Sequence, residues 1–140
     1  MALTAKRGAA ATKAAVEAMG ALLNSGYLRI YDSTGGTGQP ATGDTAIGSQ
    51  ILLAELTFAA TAFGTATAGV ITAAAIGADS DANATGTATW FRCFKTDGTT
   101  PVYDGSVGTT GCDLNLNTAS IVIHAAVSVT ALTLTEIANE

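Results

Sequence analysis

A chain of 140 residues with a formal net charge of −5 suits one domain with a single core and is too short for two. Charged residues make up 12% of the chain, about half the usual share, while alanine, threonine and glycine dominate, so we expect neighbouring subunits to cover much of the surface. The basic residues form no stripe and no run of about 18 strongly apolar residues occurs, which argues against nucleic-acid binding and against a membrane-spanning helix.

We predict a single helix over residues 8–24. The stretch is rich in alanine, and its larger apolar residues are spaced about three and four apart, which is typical of an amphipathic helix with one buried face. That face consists of Val16, Met19, Leu22 and Leu23. Residues 24–26, Asn-Ser-Gly, end the helix, because Asn and Gly tolerate the left-handed conformation. The chain is therefore divided into an N-terminal arm and helix, 1–26, and a β domain, 27–140.

Basic side chains cluster near the start of this helix, at Lys6, Arg7 and Lys13. The helix dipole disfavours cations there, so the cluster predicts a partner that supplies negative charge, or a loosely held arm. The apolar stretch is interrupted by Thr12 and Lys13, unlike the apolar region of a signal peptide, so we predict a protein that is made and kept in the cytoplasm. The basic cluster and the apolar helical face together form the predicted assembly interface, although the four apolar residues can equally pack on their own domain.

From Tyr27 onward the hydrophobic period changes to two and turn signals become frequent. The alternation predicts strands at 27–31, 52–58, 70–76, 85–94, 102–103, 113–117, 120–124 and 127–135. Loop or turn residues fill 33–44 and 79–83, and Asp97-Gly98 marks a hairpin. Seven or eight short strands predict an all-β fold, an antiparallel β-sandwich or a barrel-like domain, with one N-terminal α-helix.

Residues suited to catalysis are sparse. His124 is the single histidine of the chain, and it lies in a predicted apolar strand, where a satisfied or interfacial role is more common than that of a base. The loop 35–38, Gly-Gly-Thr-Gly, lacks the lysine of a phosphate-binding motif. We therefore predict no enzyme activity, no catalytic residue and no cofactor.

Acidic residues offer one candidate cation site. Asp79 and Asp81, with Asp97, Asp104 and Asp113 on later turns, present oxygen ligands of the kind that calcium prefers. The spacing lacks the twelve-residue loop that ends in glutamate, and aspartate in a turn commonly accepts hydrogen bonds from its own backbone. We favour the turn interpretation and predict no metal site.

Cys93 and Cys112 leave two interpretations open. Either residue can fill core volume as a small apolar side chain, or the two can form a disulfide across the sheet or between subunits. They lack the spacing of a zinc site. The sequence does not decide between these roles, because a disulfide depends on a close Cα approach.

Three segments of the β region are distinctive: Leu28-Arg29-Ile30-Tyr31-Asp32, Thr89-Trp90-Phe91-Arg92 and Asp113-Leu114-Asn115-Leu116-Asn117. With the surrounding sequence, from about residue 22 to residue 136, they resemble a family of small virion-associated structural proteins of tailed bacteriophages and prophages. The resemblance implies a particle component without catalysis and leaves its position in the particle open. Both cysteines depart from the family pattern, which favours a cross-link peculiar to this particle.

The leading hypothesis is a capsid decoration or cement subunit, whose arm or helix docks on the shell while its body bridges neighbours. Its partners would be other virion proteins, the major capsid protein or neck and tail proteins, together with copies of itself, and it would bind neither nucleic acid nor membrane. The first alternative keeps the structural class and places the chain in a neck, collar or tail ring. The expected location in each case is the virion.

A further alternative is a carbohydrate-binding or host-receptor module, since β-sandwiches often carry ligands in their loops. Such a module needs exposed aromatic side chains, and the candidates are Tyr27, Tyr31, Trp90 and Tyr103. The competing interpretation, which we favour, is that Trp90 and Phe94 belong to the core of an alternating strand.

Overall fold

The computed structural model describes residue 2, residues 4–33 and residues 38–136. Within these ranges the chain forms one helix, α1 (Ala9–Ala21), followed by strands only. The strands are β1 (Tyr27–Asp32), β2 (Ile51–Thr57), β3 (Val70–Thr72), β4 (Gly86–Thr87), β5 (Trp90–Phe94), β6 (Pro101–Gly108), β7 (Leu114–Leu116), β8 (Ser120–Ile121) and β9 (Val129–Thr135). The fold is therefore mostly β with one N-terminal helix, as predicted.

Seven strands form one sheet in the order β2-β1-β5-β6-β7-β9-β3, and β4 and β8 form a second, two-stranded sheet. The prediction of a purely antiparallel domain is wrong at one point, because β6 and β7 run parallel, with Val107 opposite Leu114. The predicted barrel-like closure is also wrong, because β2 and β3 lie at opposite ends of the strand order and do not pair with each other in the described chain. The main sheet is thus mixed and open.

The outer edge of β2 is covered by the polar segment 77–83. The Asn83 amide donates to the Leu53 carbonyl at 2.7 Å, and the Gly77 amide donates to the Thr57 carbonyl at 2.9 Å. Between them the Glu55 amide donates to the Asp79 carboxylate at 2.9 Å, so a side chain takes the place of a strand partner. Three backbone groups along the edge of β2 are therefore hydrogen-bonded without a neighbouring strand.

The other edge strand, β3, is covered by the segment just before it. Thr67 and Val70 exchange backbone hydrogen bonds of 2.9 and 3.0 Å, and the Ala74 amide donates to the Ala62 carbonyl at 2.8 Å. This segment folds back against β3 through the isolated bridges Thr67↔Val70 and Phe63↔Ala73. Neither end of the seven-stranded sheet presents a bare edge strand.

Helix α1 packs on the sheet by a face that shares Val16 with the predicted one and extends to Thr12 and Gly20. Its buried residues are Thr12, Val16 and Gly20, one turn apart. Gly20 permits the close approach, because a Cβ there would lie 2.6 Å from the Ile71 side chain of β3. The helix ends at Ala21, with Leu22 as its C-cap, rather than at residue 24. No helix of the described chain is long and apolar enough to span a membrane.

The predicted alternation in β2 is interrupted by a β-bulge. Ile30 pairs with Ala54 and Tyr31 pairs with Leu52, so Leu53 has no partner on β1. The bulge lets both Leu53 and Ala54 be fully buried, although strict alternation predicts opposite faces for them. A second departure divides the predicted strand 85–94 into β4 and β5, which belong to different sheets.

Candidate functional site

Four charged residues form a row across the outer face of the sheet. The strand registers place Arg29 of β1 opposite Glu55 of β2 and opposite Arg92 of β5, which in turn lies opposite Asp104 of β6. Arg29 Nε donates to Glu55 Oε2 at 2.6 Å. Arg92 binds Asp104 through two nitrogens, Nε at 2.6 Å and Nη2 at 2.7 Å. The two guanidinium groups are neighbours, and each is paired with the carboxylate on the strand that lies away from the other arginine.

Arg92 also anchors the long loop between β1 and β2. Its Nη1 donates to the Thr45 carbonyl at 2.6 Å, and Nη2 donates to the Thr42 carbonyl at 3.1 Å. The side chains of Arg92 and Asp104 are 2% and 7% exposed, so the pair lies under the loop. The hydrogen bond to Asp104 raises the pKa of Arg92 above its ordinary value and outweighs the opposing effect of burial. Arg92 therefore fastens the loop to the outer face of the sheet.

Aromatic rings pack beside the two arginines. Tyr31 and Trp90 stack with 4.6 Å between ring centroids, and the guanidinium of Arg29 lies 4.5 Å from the Phe94 ring centroid. Tyr31 and Trp90 are 3% and 2% exposed, and burial raises the pKa of Tyr31. These two rings therefore offer no open stacking platform for a sugar. Trp90 and Phe94 are buried, but they share the outer face with Arg92 and lie outside the hydrophobic core cluster. The other aromatic candidates, Tyr27 and Tyr103, are half-buried.

A cleft of about 450 Å³ separates the anchored loop from the β5–β6 hairpin. Its floor contains Arg29, Tyr31 and Phe94, and its walls contain Ile47 and Pro101. Arg29 is already engaged within the chain, because it donates to Glu55 and to the Gly98 carbonyl at 2.9 Å. No histidine or cysteine lines this cleft in the described chain.

Carboxylates of the same chain pair with two of the three N-terminal basic residues. Arg7 forms an ion pair with Glu136, just after β9, and Lys13 forms an ion pair with Glu17 one turn along the helix. The pKa of Glu17 is lowered, first by the hydrogen bond from Lys13 and then by the Ala66 amide, which donates to it at 2.8 Å. The negative charge expected from a partner is thus supplied internally to Arg7 and Lys13. Lys6 is exposed.

The fold buries some apolar residues of the predicted assembly interface and leaves one of them, Leu22, at the surface. Val16 and Leu23 have no exposed surface and belong to the core, and Met19 is partly buried against it. Leu22 is 47% exposed. A partner cannot reach Val16 or Leu23 without opening the domain, so these two pack on their own domain. Leu22 remains at the surface because the helix ends just before it.

The prediction that His124 lies in an apolar strand is wrong. Strand β8 ends at Ile121, and His124 lies in an exposed turn with a left-handed φ of 68°. Its Nδ1 lies 2.6 Å from an Asp81 carboxylate oxygen, and both side chains are more than 70% exposed. A pair this exposed is screened by solvent and lies outside any enclosed site.

Asp79 and Asp113 accept hydrogen bonds from backbone amides, as the turn interpretation predicts. The interpretation is wrong for Asp104, which lies within β6 rather than in a turn. Asp79 accepts from the Asp81 amide at 2.9 Å in addition to its bond with Glu55. Asp113 accepts from the amide and hydroxyl of Ser106 at 3.0 and 2.9 Å. Across the described part of the chain, no three His, Cys, Asp or Glu side chains are grouped so that they could hold a metal ion.

Both cysteines are free thiols, so the proposed disulfide within one chain is not formed. Cys93 is fully buried opposite Tyr103 of β6, and burial raises the pKa of its thiol well above the ordinary value. Cys112 lies against Gly108 of β6, because a Cβ added to Gly108 would be 2.7 Å from the Cys112 sulfur. The two cysteines thus lie beside two positions of β6, Tyr103 and Gly108, that are five residues or roughly 16 Å apart. This separation exceeds the Cα distance of about 7 Å that a disulfide tolerates.

The Asp97-Gly98 turn joins β5 and β6 as predicted. Hydrogen bonds to Asp97 in this turn make the unfolding free energy depend on pH. Asp97 accepts from the Thr99 amide at 2.9 Å and the Thr100 amide at 2.8 Å, and Gly98 has a left-handed φ of 70°. These bonds, led by those from Thr100, hold the pKa of Asp97 well below its ordinary range. The carboxylate therefore stabilises the fold above its unfolded pKa, and this stabilisation is lost as the pH falls toward the folded pKa.

We expect Asp97→Asn to make the unfolding free energy less dependent on pH in the acidic range. The amide keeps an acceptor oxygen but cannot titrate, so the variant should lose less unfolding free energy than the parent between about pH 4 and pH 2. Urea denaturation at pH values across this window measures the difference. Parallel curves for the two proteins would show that the turn carboxylate does not couple to folding.

No family profile, curated protein or solved structure matches the chain. Several features of the surface were missed by sequence reasoning. The principal one is the buried pair Arg92–Asp104. A two-residue hairpin at Asp97-Gly98 predicts Tyr103 opposite Arg92, whereas a register shift between Cys93 and Phe94 brings Asp104 into that position.

Proposed function

We propose that this chain is a non-enzymatic structural subunit of the virion of a tailed bacteriophage, held on the capsid as a decoration or cement subunit. The supporting observation is that four of the six Lys and Arg residues form ion pairs within the chain. The pairs are Arg7–Glu136, Lys13–Glu17, Arg29–Glu55 and Arg92–Asp104. Alanine, threonine and glycine dominate the rest of the chain, and a weakly charged surface of this kind suits broad contact with neighbours better than free dispersion in solvent.

The sequence resemblance to small virion-associated proteins supports the same class of function. The two-layer arrangement expected of a sandwich is retained in this proposal, with the β4–β8 pair as the small second layer. Gly86 of β4 approaches the main sheet closely, since a Cβ there would lie 3.0 Å from the Leu53 side chain. Ile121 of β8 is buried in the common core. A braced domain of this kind can bridge neighbours without changing shape.

Docking on the shell would use the exposed parts of the predicted interface. Lys6 and Leu22 are at the surface, whereas Val16 and Leu23 are not. The proposed partners are the major capsid protein and further copies of this chain. A ring in the neck, collar or tail is the alternative arrangement, and the two differ in symmetry and copy number.

A cryo-EM reconstruction of the particle encoded with this chain tests the proposal. We expect density for the chain at a fixed number per capsomer, on the order of hundreds of copies, rather than roughly a dozen in one ring. Density confined to the neck, tail or fibres would replace the capsid position with the ring. Absence of the chain from purified particles would overturn the structural assignment itself.

A further inference from the structure

Residues 38–50 of the loop between β1 and β2 form a compact segment, which we call the strap. Gln50 joins its two ends, because its Nε2 donates to the Gly38 carbonyl and its Oε1 accepts from the Gly48 amide, both at 2.8 Å. Within the strap the Thr45 amide donates to the Thr42 carbonyl at 3.1 Å. Compact surface loops whose ends lie close together are frequently functional. The bond between the two ends lets the strap move as one body beside the strands.

The strap adds no residue to the core, and yet it lies over buried groups. Every residue from 38 to 50 is exposed or half-buried. Beneath the strap, Arg92 is 2% exposed and Tyr31 is 3% exposed. Segments with few buried apolar contacts open at a smaller cost in free energy than the strands of a core. A weakly packed segment thus covers groups that are shielded from solvent.

Arg92 attaches the strap to the sheet. Its Nη1 and Nη2 donate to the Thr45 and Thr42 carbonyls at 2.6 and 3.1 Å. The same guanidinium binds Asp104 of β6 through Nε and Nη2. The bonds to the strap end on uncharged backbone oxygens, whereas the bonds to Asp104 form an ion pair within the sheet. The bonds to the strap can therefore break while the ion pair remains.

Two features of the covered face favour opening of the strap. A cleft of about 450 Å³ already separates the strap from the β5–β6 hairpin, with Ile47 on one wall and Pro101 on the other. The indole nitrogen of Trp90, which stacks on Tyr31, is buried without a hydrogen-bond acceptor in the described chain. A buried donor without an acceptor costs free energy, and contact with water restores it. Opening of the strap would bring water to this group.

We propose that the strap opens as a unit while the β-sheet stays folded, and that Arg92 is the residue that holds it closed. Opening breaks the bonds from Arg92 to the Thr42 and Thr45 carbonyls and keeps its ion pair with Asp104. It uncovers the stacked rings of Tyr31 and Trp90, so the strap is a conformational gate over an aromatic face. This inference goes beyond the proposed structural function, because it concerns the single chain and holds on or off a particle.

Hydrogen exchange at Trp90 tests the opening. Trp90 is the single tryptophan of the chain, so its indole N–H gives one resonance in NMR spectra. We expect its protection factor to be at least about tenfold lower than those of the β5 backbone amides. Low concentrations of urea should lower the protection of the β5 amides and leave that of the indole unchanged, because a local opening exposes little surface. Equal protection with equal urea dependence would overturn the proposal, since the strap would then open only when the domain unfolds.

Gln50→Ala loosens the strap and leaves the sheet intact. Without the bonds to Gly38 and Gly48, the open strap gains conformational freedom that the closed strap, held by Arg92, does not. We expect about tenfold faster indole exchange and stronger quenching of Trp90 fluorescence by acrylamide, with unchanged protection of the β5 backbone amides. Gln39→Ala is the matched control, because Gln39 is exposed in the same segment. Equal exchange and quenching in the two variants would contradict the proposal.

Arg92→Lys tests the residue that holds the strap closed. Lysine keeps a positive charge beside Asp104 but lacks the planar fork that reaches two carbonyl oxygens. We expect indole exchange to rise by about tenfold more than in Arg29→Lys, the same change on the neighbouring strand, because Arg29 binds Glu55 and the Gly98 carbonyl instead of the strap. Indole exchange that rises only in step with exchange of the β5 amides, and equally in both variants, would show a loss of sheet stability and would overturn the role of Arg92.

Discussion

Arg92→Met is expected to lower the unfolding free energy by about 3–5 kcal/mol, because it leaves the carboxylate of Asp104 buried without its partner. The variant also removes the hydrogen bonds to the Thr42 and Thr45 carbonyls, so the loop that covers Tyr31 and Trp90 loses its anchor. Urea denaturation measures the loss of stability. Faster amide hydrogen exchange in residues 42–50 would report the released loop.

Arg29→Met is the matched control for this prediction. Arg29 lies directly opposite Arg92, but its side chain is 24% exposed and its partner Glu55 is 39% exposed. Such a pair contributes about 0–1 kcal/mol, so the control should cost far less. The double replacement Arg92→Met with Asp104→Leu should recover part of the loss, since no unpaired charge remains. Equal losses for the two single variants would contradict the role given to the buried pair.

Gly26→Ala should destabilise the protein by about 1–3 kcal/mol or more, because the overlap is with backbone. An added Cβ would overlap the Phe94 carbonyl oxygen of the neighbouring strand and lie 3.0 Å from the Leu23 carbonyl oxygen. Neither atom can rotate away as the end of a flexible side chain would. The Gly26 carbonyl also accepts from the Phe58 amide at 3.0 Å, so a shift of residue 26 would disturb β1, β2 and β5 together. Thermal unfolding measures the effect.

Ser25→Gly distinguishes close approach from backbone conformation. Ser25, rather than Gly26, holds the left-handed conformation at the end of the helix, with φ 55°. Glycine at position 25 relieves that strain and makes the unfolded chain more flexible, so the net change should be smaller than about 1 kcal/mol. A loss at position 25 as large as the loss at position 26 would show that conformation, not contact, decides this junction.

The β-rich character and most strand positions follow from the sequence because alternation is a local property. The strands that begin at Tyr27 and Val70 and the turn at Asp97-Gly98 are close to their predicted places. The bulge at Leu53 is not predictable in this way, since one unpaired residue reverses the faces that follow. The parallel pairing of β6 with β7 is equally hidden, because it depends on how a short connection folds back.

The candidate site is less predictable than the fold because burial of charge depends on distant segments. The alternation of the strand predicts that Arg92 lies at the surface. A loop some fifty positions earlier in the chain covers it instead, and the Thr42 and Thr45 carbonyls of this loop accept hydrogen bonds from Arg92. His124 follows three aliphatic residues that suggest a strand, but hydrogen bonds to Ala82 and Thr85 stop the strand at Ile121. The apolar helical face was predicted from spacing alone, which could not locate the C-cap that leaves Leu22 outside.

The covered ends of the main sheet have a consequence for crowding. Fibril growth commonly starts when a bare strand recruits the same strand from another molecule. Here β2 must first shed the segment 77–83 and β3 must shed the segment before it, so that route begins with a local unfolding step. Copies of a chain with so little charge to keep them apart can therefore reach high local concentration without presenting a bare strand for open-ended backbone pairing.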